Sequence, residues 1–410
     1  MITFWWFMSW EVVSPPTTTP PPPALFPFLD QQIRKATELT WLACDAVTGR
    51  IAVELPDLIC QGTIGSLLSA FTSAHLQLPV ALDGYGAPPK GWEGATSAST
   101  SMLVAVLGDV PVWAGLILTR VGGTEGLVDL SCVSLEGYLD RRYVGDHAWT
   151  GQDEASVIAA GLIGDANSSE GLGFAVQAPA TGTLRDRTYF DRDDKTVYSA
   201  LRELAGVEDG PEWTVTLGWS DGTQTAVTKT VMVRKRVGFV AAGSSSPSPT
   251  GGANAVFSTL GGSARYSLTE DYTGGSGANH VVASSSGEGD LRPQSAPARA
   301  VDLLAGGQPR YEYRFTPSTS ITQQATLDAH AVAALALMRD GARALTITSP
   351  LRNYPRLGVD WSVGDDVGYD LHGHRHPDGL VGVARAVGWQ LDPRAGTVSP
   401  VLLLPGQEAS

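Results

Sequence analysis

The densest chemical cluster in the sequence is Asp370-Leu-His372-Gly-His374-Arg-His376-Pro-Asp378. Alternate residues of a strand share a face. On a strand, Asp370, His372, His374 and His376 would therefore present a carboxylate and three imidazoles to one side, a donor set that suits zinc or a related metal. The competing reading is an exposed hairpin loop. Pro377, Asp378 and Gly379 are turn formers, and a fully extended row of ligands bends poorly around one ion. The loop reading is preferred and no metal or other cofactor is expected; His372, His374 and His376 are the candidate ligands should one bind. The same histidines could sense pH.

Glycoside hydrolysis needs two carboxyl groups roughly 5–10 Å apart. Asp191, Asp193 and Asp194, and Asp365 with Asp366, are the candidates. The first group surrounds a helix start, where acids stabilise the dipole in any case, with Asp193 or Asp194 as the cap. The second lies in a Val-Gly-Asp-Asp-Val turn into a strand. Arg185, Arg187 and Arg192 could hold a phosphate, but they alternate with Asp186, Asp191 and Asp193, which reads as a local salt-bridge network. Trp92, Trp113, Trp213, Trp219, Trp361 and Trp389 could line a carbohydrate groove; at strand positions and beside turns they read better as core. No GxSxG elbow, HExxH helix, Walker loop or GxGxxG fingerprint occurs. No catalytic residues are expected, and the chain reads as no enzyme.

The elements that would position these residues are mostly short strands. Thr40–Leu55 reads as a hairpin around Val47-Thr48-Gly49-Arg50. Ile64, Leu67, Leu68 and Phe71 fall at helical spacing and predict a short helix over Thr63–Ala74. Ser101–Leu107, Val112–Val121 and Val128–Ser134 follow as strands. Asp153–Ile163 and Lys195–Ala205 read as helices, then Trp213–Trp219 and Lys229–Val237 as strands. Gly243–Gly252 reads as a flexible loop. Tyr266–Tyr272 and Asn279–Ser284 are strand candidates, and Ser285–Gln308 is mixed loop. Ser320–Asp340 predicts the longest helix, ending at Gly341. Ala344–Thr348, Gly364–Tyr369, Val381–Leu391 and Val398–Leu404 are the closing strands. No internal repeat is visible.

Composition agrees. The 410 residues include 47 Gly and 26 Pro, and 17% are charged, a profile of many strands and tight turns across several modules. The formal net charge of −14 and the single dense basic run Arg234-Lys235-Arg236 argue against general nucleic-acid binding, while suiting a surface that DNA passes without sticking. Cys44, Cys60 and Cys132, an odd number without a CxxC pair, read as buried thiols. Met1–Trp10 is strongly apolar and aromatic, but it lacks a basic n-region and a cleavage site and is too short to span a bilayer. It reads as an arm that docks on its own body or on a neighbouring subunit, set off by the polyproline spacer Pro15–Pro23. No stable membrane insertion is expected, and synthesis is expected in the cytoplasm.

A family resemblance runs through the body in order. WLACDAVTGRIAVELP (Trp41–Pro56), PVWAGLILTR (Pro111–Arg120), VDLSCVSLEGYLDRRYV (Val128–Val144), GPEWTV (Gly210–Val215), NHVVASSSGEGDLRP (Asn279–Pro293) and the closing GDDVGYDL (Gly364–Leu371) with GLVGVARAVGWQLDP (Gly379–Pro393) resemble the minor tail proteins of siphoviruses that infect actinobacteria. The aromatic-proline start departs from that pattern, and the long C-terminal extension that carries lytic or receptor-binding domains in many such proteins is missing.

The resemblance implies a tail-associated, Tal-like baseplate hub at the tail tip of the virion. Such a hub forms a homotrimeric ring or cap that joins the distal tail protein ring and the tape-measure protein to tail fibres or other tip proteins, and opens for genome ejection. It implies a mainly β fold with a few helices, in which two tube-like β-barrel or sandwich modules flank a middle region. The expected division is an aromatic arm and spacer over 1–36, a first tube-like module over 37–145, an α+β middle module over 146–228, a β-rich segment with loops over 229–310, and a helix plus second tube-like module over 311–410. Trp113, Gly115, Arg120, Tyr138, Arg141, Arg142, Trp213 and Trp389 are the structural or interface candidates, with Trp113 as a buried anchor and Gly115 allowing close backbone approach. A peptidoglycan-acting hydrolase and a receptor- or glycan-binding tip module are the alternatives.

Overall fold

The computed structural model describes residues 39–404 except 81–87, 208, 243–247, 249, 262–263, 287–291, 320 and 322. The aromatic arm, the polyproline spacer and much of the Gly243–Gly252 loop lie outside the described residues. The fold is mainly β with a few helices.

The first sheet is built from β1 (Leu39–Asp45), β2 (Ile51–Glu54), β3 (Ile59–Cys60), β5 (Ser73–Pro79), β6 (Ser101–Leu107), β7 (Val110–Val121) and β8 (Leu127–Ser134), in the order β2-β1-β6-β7-β8-β5-β3. Its central strand β6, Ser-Met-Leu-Val-Ala-Val-Leu, is buried at every position. Successive side chains of a strand point to opposite faces. Leu103, Ala105 and Leu107 enter one core, and Met102, Val104 and Val106 enter another. A continuous apolar run therefore marks a strand covered on both sides.

The strand β4 (Ile64–Leu67) overturns the helix expected over Thr63–Ala74. It leaves the first sheet and pairs antiparallel with a strand near the chain's end, Ile64 opposite Leu391 and Leu67 opposite Gly388. Gly65 admits this pairing, because a Cβ there would lie 2.5 Å from the Trp389 carbonyl oxygen. Ser69, at φ +54°, turns the chain back, and its amide donates to Trp213 O at 2.8 Å. Tertiary hydrogen bonding overrides the helical spacing.

The middle region begins with a 3-10 turn, Leu135–Arg141, then β9 (His147–Asp153), a π turn at Glu154–Ala159 and α2 (Ala160–Asn167); the four-residue α1 (Trp92–Ala95) precedes them in the chain. β10 (Ala175–Gln177), β11 (Leu184–Tyr189), α3 (Val197–Ala205), β12 (Glu212–Trp219) and β13 (Val227–Arg234) complete it. β9 pairs with β11, and β10-β13-β12 form a three-stranded sheet. The cap of α3 is Thr196, whose side chain accepts from the Ser199 amide; Asp193 and Asp194 do not fill that role. α2 and α3 bury Leu162, Ile163, Ala200, Leu201 and Leu204 against the second face of the first sheet.

The last sheet joins β14 (Val256–Ser258), β15 (Arg265–Asp271), β19 (Ala342–Pro350), β20 (Asp366–Leu371), β21 (Leu380–Asp392) and β22 (Thr397–Leu403) in the order β14-β20-β21-β22-β19-β15, with β4 added on β21. Its inner face and that of the first sheet bury one shared core that includes Trp41, Trp113, Ile117, Phe257, Trp361 and Trp389. Between β15 and β19 the chain inserts a small unit: β16 (His280–Ala283), β17 (Ala298–Arg299), α4 (Val301–Ala305), β18 (Glu312–Phe315) and α5 (Gln324–Met338). The segment expected as mixed loop thus holds a short strand and a short helix. α5 buries Leu327, Ala331 and Met338 against Val281 and Ala283.

Candidate functional site

The middle region and the last sheet meet in one joint, and its chemistry is that of attachment. Glu212 on β12 takes both guanidinium arms of Arg385 on β21, Oε1 to Nη1 at 2.6 Å and Oε2 to Nη2 at 2.5 Å, and its Oε2 also accepts from the Val237 amide at 2.7 Å. A planar guanidinium and a carboxylate in this two-point geometry fix direction as well as distance. Gly238 and Gly364, both with positive φ, cross beside it; a Cβ on Gly238 would lie 2.2 Å from the Gly364 carbonyl carbon.

Asp365 and Asp366 finish the joint. Asp365 Oδ1 accepts from the Phe239 amide at 2.6 Å and its Oδ2 from the Ser362 amide at 2.8 Å. Asp366 pairs with Arg236 at 2.5 Å and accepts from the Ala241 amide at 2.9 Å. All four carboxylate oxygens are occupied by protein donors. Beside the joint lies a cleft of about 270 Å³ whose walls include Ser66, Val112, Thr214, Leu217, Val363 and Trp389.

The histidine cluster folds as a loop. β20 ends at Leu371 and β21 begins at Leu380, so His372, His374 and His376 do not alternate along a strand. Gly373 and His376 exchange backbone hydrogen bonds across the turn. His372 Nε2 lies 3.0 Å from Asp370 Oδ1, His376 Nδ1 lies 2.9 Å from the Tyr266 hydroxyl, and His374 is exposed. Among the described residues no three His, Cys, Asp or Glu side chains converge as metal ligands.

The arginine-aspartate run also differs from the local network that its alternation suggests. Arg185 reaches the fully buried Glu154, Nε to Oε2 at 2.6 Å. Asp186 instead accepts from the Gly151 amide, and Arg192 stacks over the Phe190 ring at 4.4 Å. Trp113, Trp213, Trp361 and Trp389 are buried, while Trp92 and Trp219 are half-buried. Gly115 makes room for a side chain rather than a backbone: a Cβ there would lie 2.3 Å from Trp113 Cη2. Arg120 donates to Glu93 O and Thr96 Oγ1. Arg142 donates to the carbonyls of Asp165, Ser168 and Ser169 and to the Tyr138 hydroxyl. Arg141 is exposed.

Two buried ionisable groups escape the sequence reading. Lys229, 3% exposed, donates from Nζ to the carbonyls of Ala46 and Val47 at 2.5 and 2.8 Å, clamping the β1–β2 turn to β13. Burial pulls its pKa down to about 8. Glu136 is buried in the 3-10 turn and accepts from the Val215 amide; burial holds its carboxyl above the usual range. Lys229 is legible in hindsight as an inward-facing position of an alternating strand, Val227-x-Lys229-x-Val231.

No family model matches the chain, and no curated protein matches it. Solved structures do. A 43 kDa tail protein of prophage MuSo2 from Shewanella oneidensis superposes with a TM-score of 0.51 at 10% identity, covering 90% of this chain and 98% of that one. A tail protein from Neisseria meningitidis MC58 gives 0.49 at 18% identity, over 89% and 97%. Prophage tail protein gp18 from Listeria monocytogenes gives 0.40 at 9%, over 88% and 94%. The first shares the fold of this chain over nearly its whole length. Among the described residues no helix is long and apolar enough to cross a membrane.

Proposed function

We propose that this chain is a structural protein of a phage tail, and within the tail the trimeric hub of the tip. The observation that carries the reading is the fold shared from end to end with the Shewanella prophage tail protein. The sequence blocks that resemble siphoviral minor tail proteins fall on the elements that build this fold: the first sheet, β12, β16 and the β20–β21 hairpin. In this reading the two seven-stranded sheets are the tube-like modules, and the inserted unit and middle region are the surfaces that meet other tip components. The partners are two further copies, the distal tail protein ring, the tape-measure protein, and fibres or other tip proteins. Genome passes through the lumen without specific binding.

The joint supports a mechanical rather than a catalytic role. The carboxylates that could have served hydrolysis, Asp365 and Asp366, spend every oxygen on backbone amides, a serine amide and an arginine. Antibody labelling of intact particles tests the proposal. Gold confined to the tail tip, with three copies per particle by quantitative mass spectrometry, is the expected result. Label on the shaft, on the capsid or on no particle refutes it.

A further inference from the structure

The chain is acidic, yet the outer face of its inserted sheet is basic. Strand order there is β17-β16-β18. α5 covers the side that carries Val281 and Ala283, so His280 and Val282 belong to the opposite side. In register with His280 stand Arg299 and Glu312, and in register with Val282 stands Arg314. Arg310 joins the same face, its Nη2 3.0 Å from His280 Nε2. Arg292 lies beside it, held by the Ser285 carbonyl and the Thr316 hydroxyl. Arg292, Arg299, Arg310 and Arg314 are all exposed, and against these four arginines the face offers one described carboxylate, Glu312, which contacts both Arg310 and Arg314.

One further observation points to a ligand. A cavity of about 210 Å³ opens between Arg292 and Arg314, with Ser284, Gln294 and Thr316 in its wall.

We propose that this face is a docking site for a carboxylate-rich surface of a partner protein. Arginine suits carboxylate as a partner, and Glu312, with one oxygen toward Arg310 and the other toward Arg314, shows these guanidiniums already taking one. Nucleic acid, whose phosphates arginines also take, is the competing occupant that the test separates. The inference goes beyond the tail-hub reading and stands on the charge of this face alone.

The test uses the whole chain and fluorescent poly-L-glutamate, read by anisotropy at low and raised salt, with duplex DNA of matched charge as competitor. Binding that weakens with salt and falls at least about tenfold in the Arg299→Glu, Arg314→Glu double variant is expected. A double variant of equal charge change elsewhere, Arg352→Glu with Arg394→Glu, both exposed, is expected to keep it. An Arg299→Gln, Arg314→Gln pair, checked for an unchanged melt, separates lost contacts from lost folding. No binding at low salt, equal loss in the control pair, or preference for DNA overturns the proposal. So does salt-sensitive self-association that the same variant abolishes without poly-glutamate binding, which would make a second copy the occupant.

Discussion

The indole of Trp113 occupies the volume where Gly115 would carry a side chain: a Cβ on Gly115 would sit 2.3 Å from Cη2 and 2.7 Å from Cζ2. Residues two apart on a strand share a face, so the ring lies flat along its own strand instead of standing off it. It also meets Trp41 edge-on, with ring centroids 6.3 Å apart. The Trp-Ala-Gly step is one packing unit.

Trp113→Ala should therefore destabilise the fold by about 3–5 kcal/mol, and Gly115→Ala by about 1–3 kcal/mol through overpacking. With the indole gone the Gly115 methyl has space, so the double variant should cost clearly less than the sum. Urea melts of the four proteins measure the cycle. Strict additivity would mean the two residues do not share that volume.

Glu212 and Arg385 form a second coupled pair, and both side chains are largely shielded, at 21% and 11% exposure. Removing one partner strands the other charge, so Glu212→Ala should cost about 3 kcal/mol. Replacing both with apolar residues of similar volume should recover much of that loss. If Glu212→Ala melts like the parent, the joint does not hold the modules together.

Stability against pH sets one buried lysine against three buried thiols. Lys229 falls from 10.5 to about 8, so between those values the unfolded chain binds more protons and stability rises with pH. Burial raises Cys44 and Cys132 from 9 to about 12, and Cys60 to about 11. Above pH 9 the unfolded thiols lose protons that the folded ones keep, and stability falls. Three groups outweigh one as the unfolded thiols begin to ionise, so denaturant midpoints should climb gently from pH 8, peak at about pH 8.5 and drop beyond it. Replacing the three cysteines with alanine should leave a curve that still rises through pH 9, until Tyr189, Tyr272 and Tyr369, held by burial above the usual phenol range, oppose it near pH 10.

The same thiols should resist alkylation in the native protein and react in denaturant, because the thiolate is the nucleophile. Rapid labelling of any of the three without denaturant would contradict their burial.

What the sequence disclosed follows from where local and tertiary preferences agree. Alternation in β8 and the continuous apolar run of β6 gave strands and even their burial. The Thr-Gly turn gave the first hairpin, with Gly49 at φ +72°. Ile64–Phe71 failed because its spacing suits a helix, while the unpaired edge of β21, more than three hundred residues away, offered it a ladder. The histidine cluster folds as the hairpin loop that Pro377, Asp378 and Gly379 favour, because the strand stops at Leu371 and the alternative strand face never forms. Lys229 and the Glu212–Arg385 pair on strands, and Glu136 in its 3-10 turn, were silent because a charged residue declares a partner only once the fold supplies one.

The excursion of β4 onto β21 sets a clock on synthesis. Ile64–Leu67 leaves the ribosome while its ladder partner Gly388–Leu391 is still unmade, and contacts this distant in sequence form late. The first sheet must therefore wait with one face of Trp41, Leu76 and Trp113 unsealed until β21 has been made. Until β21 emerges, a nascent chain carries that apolar surface bare, in the state most open to aggregation, and only then does its core close.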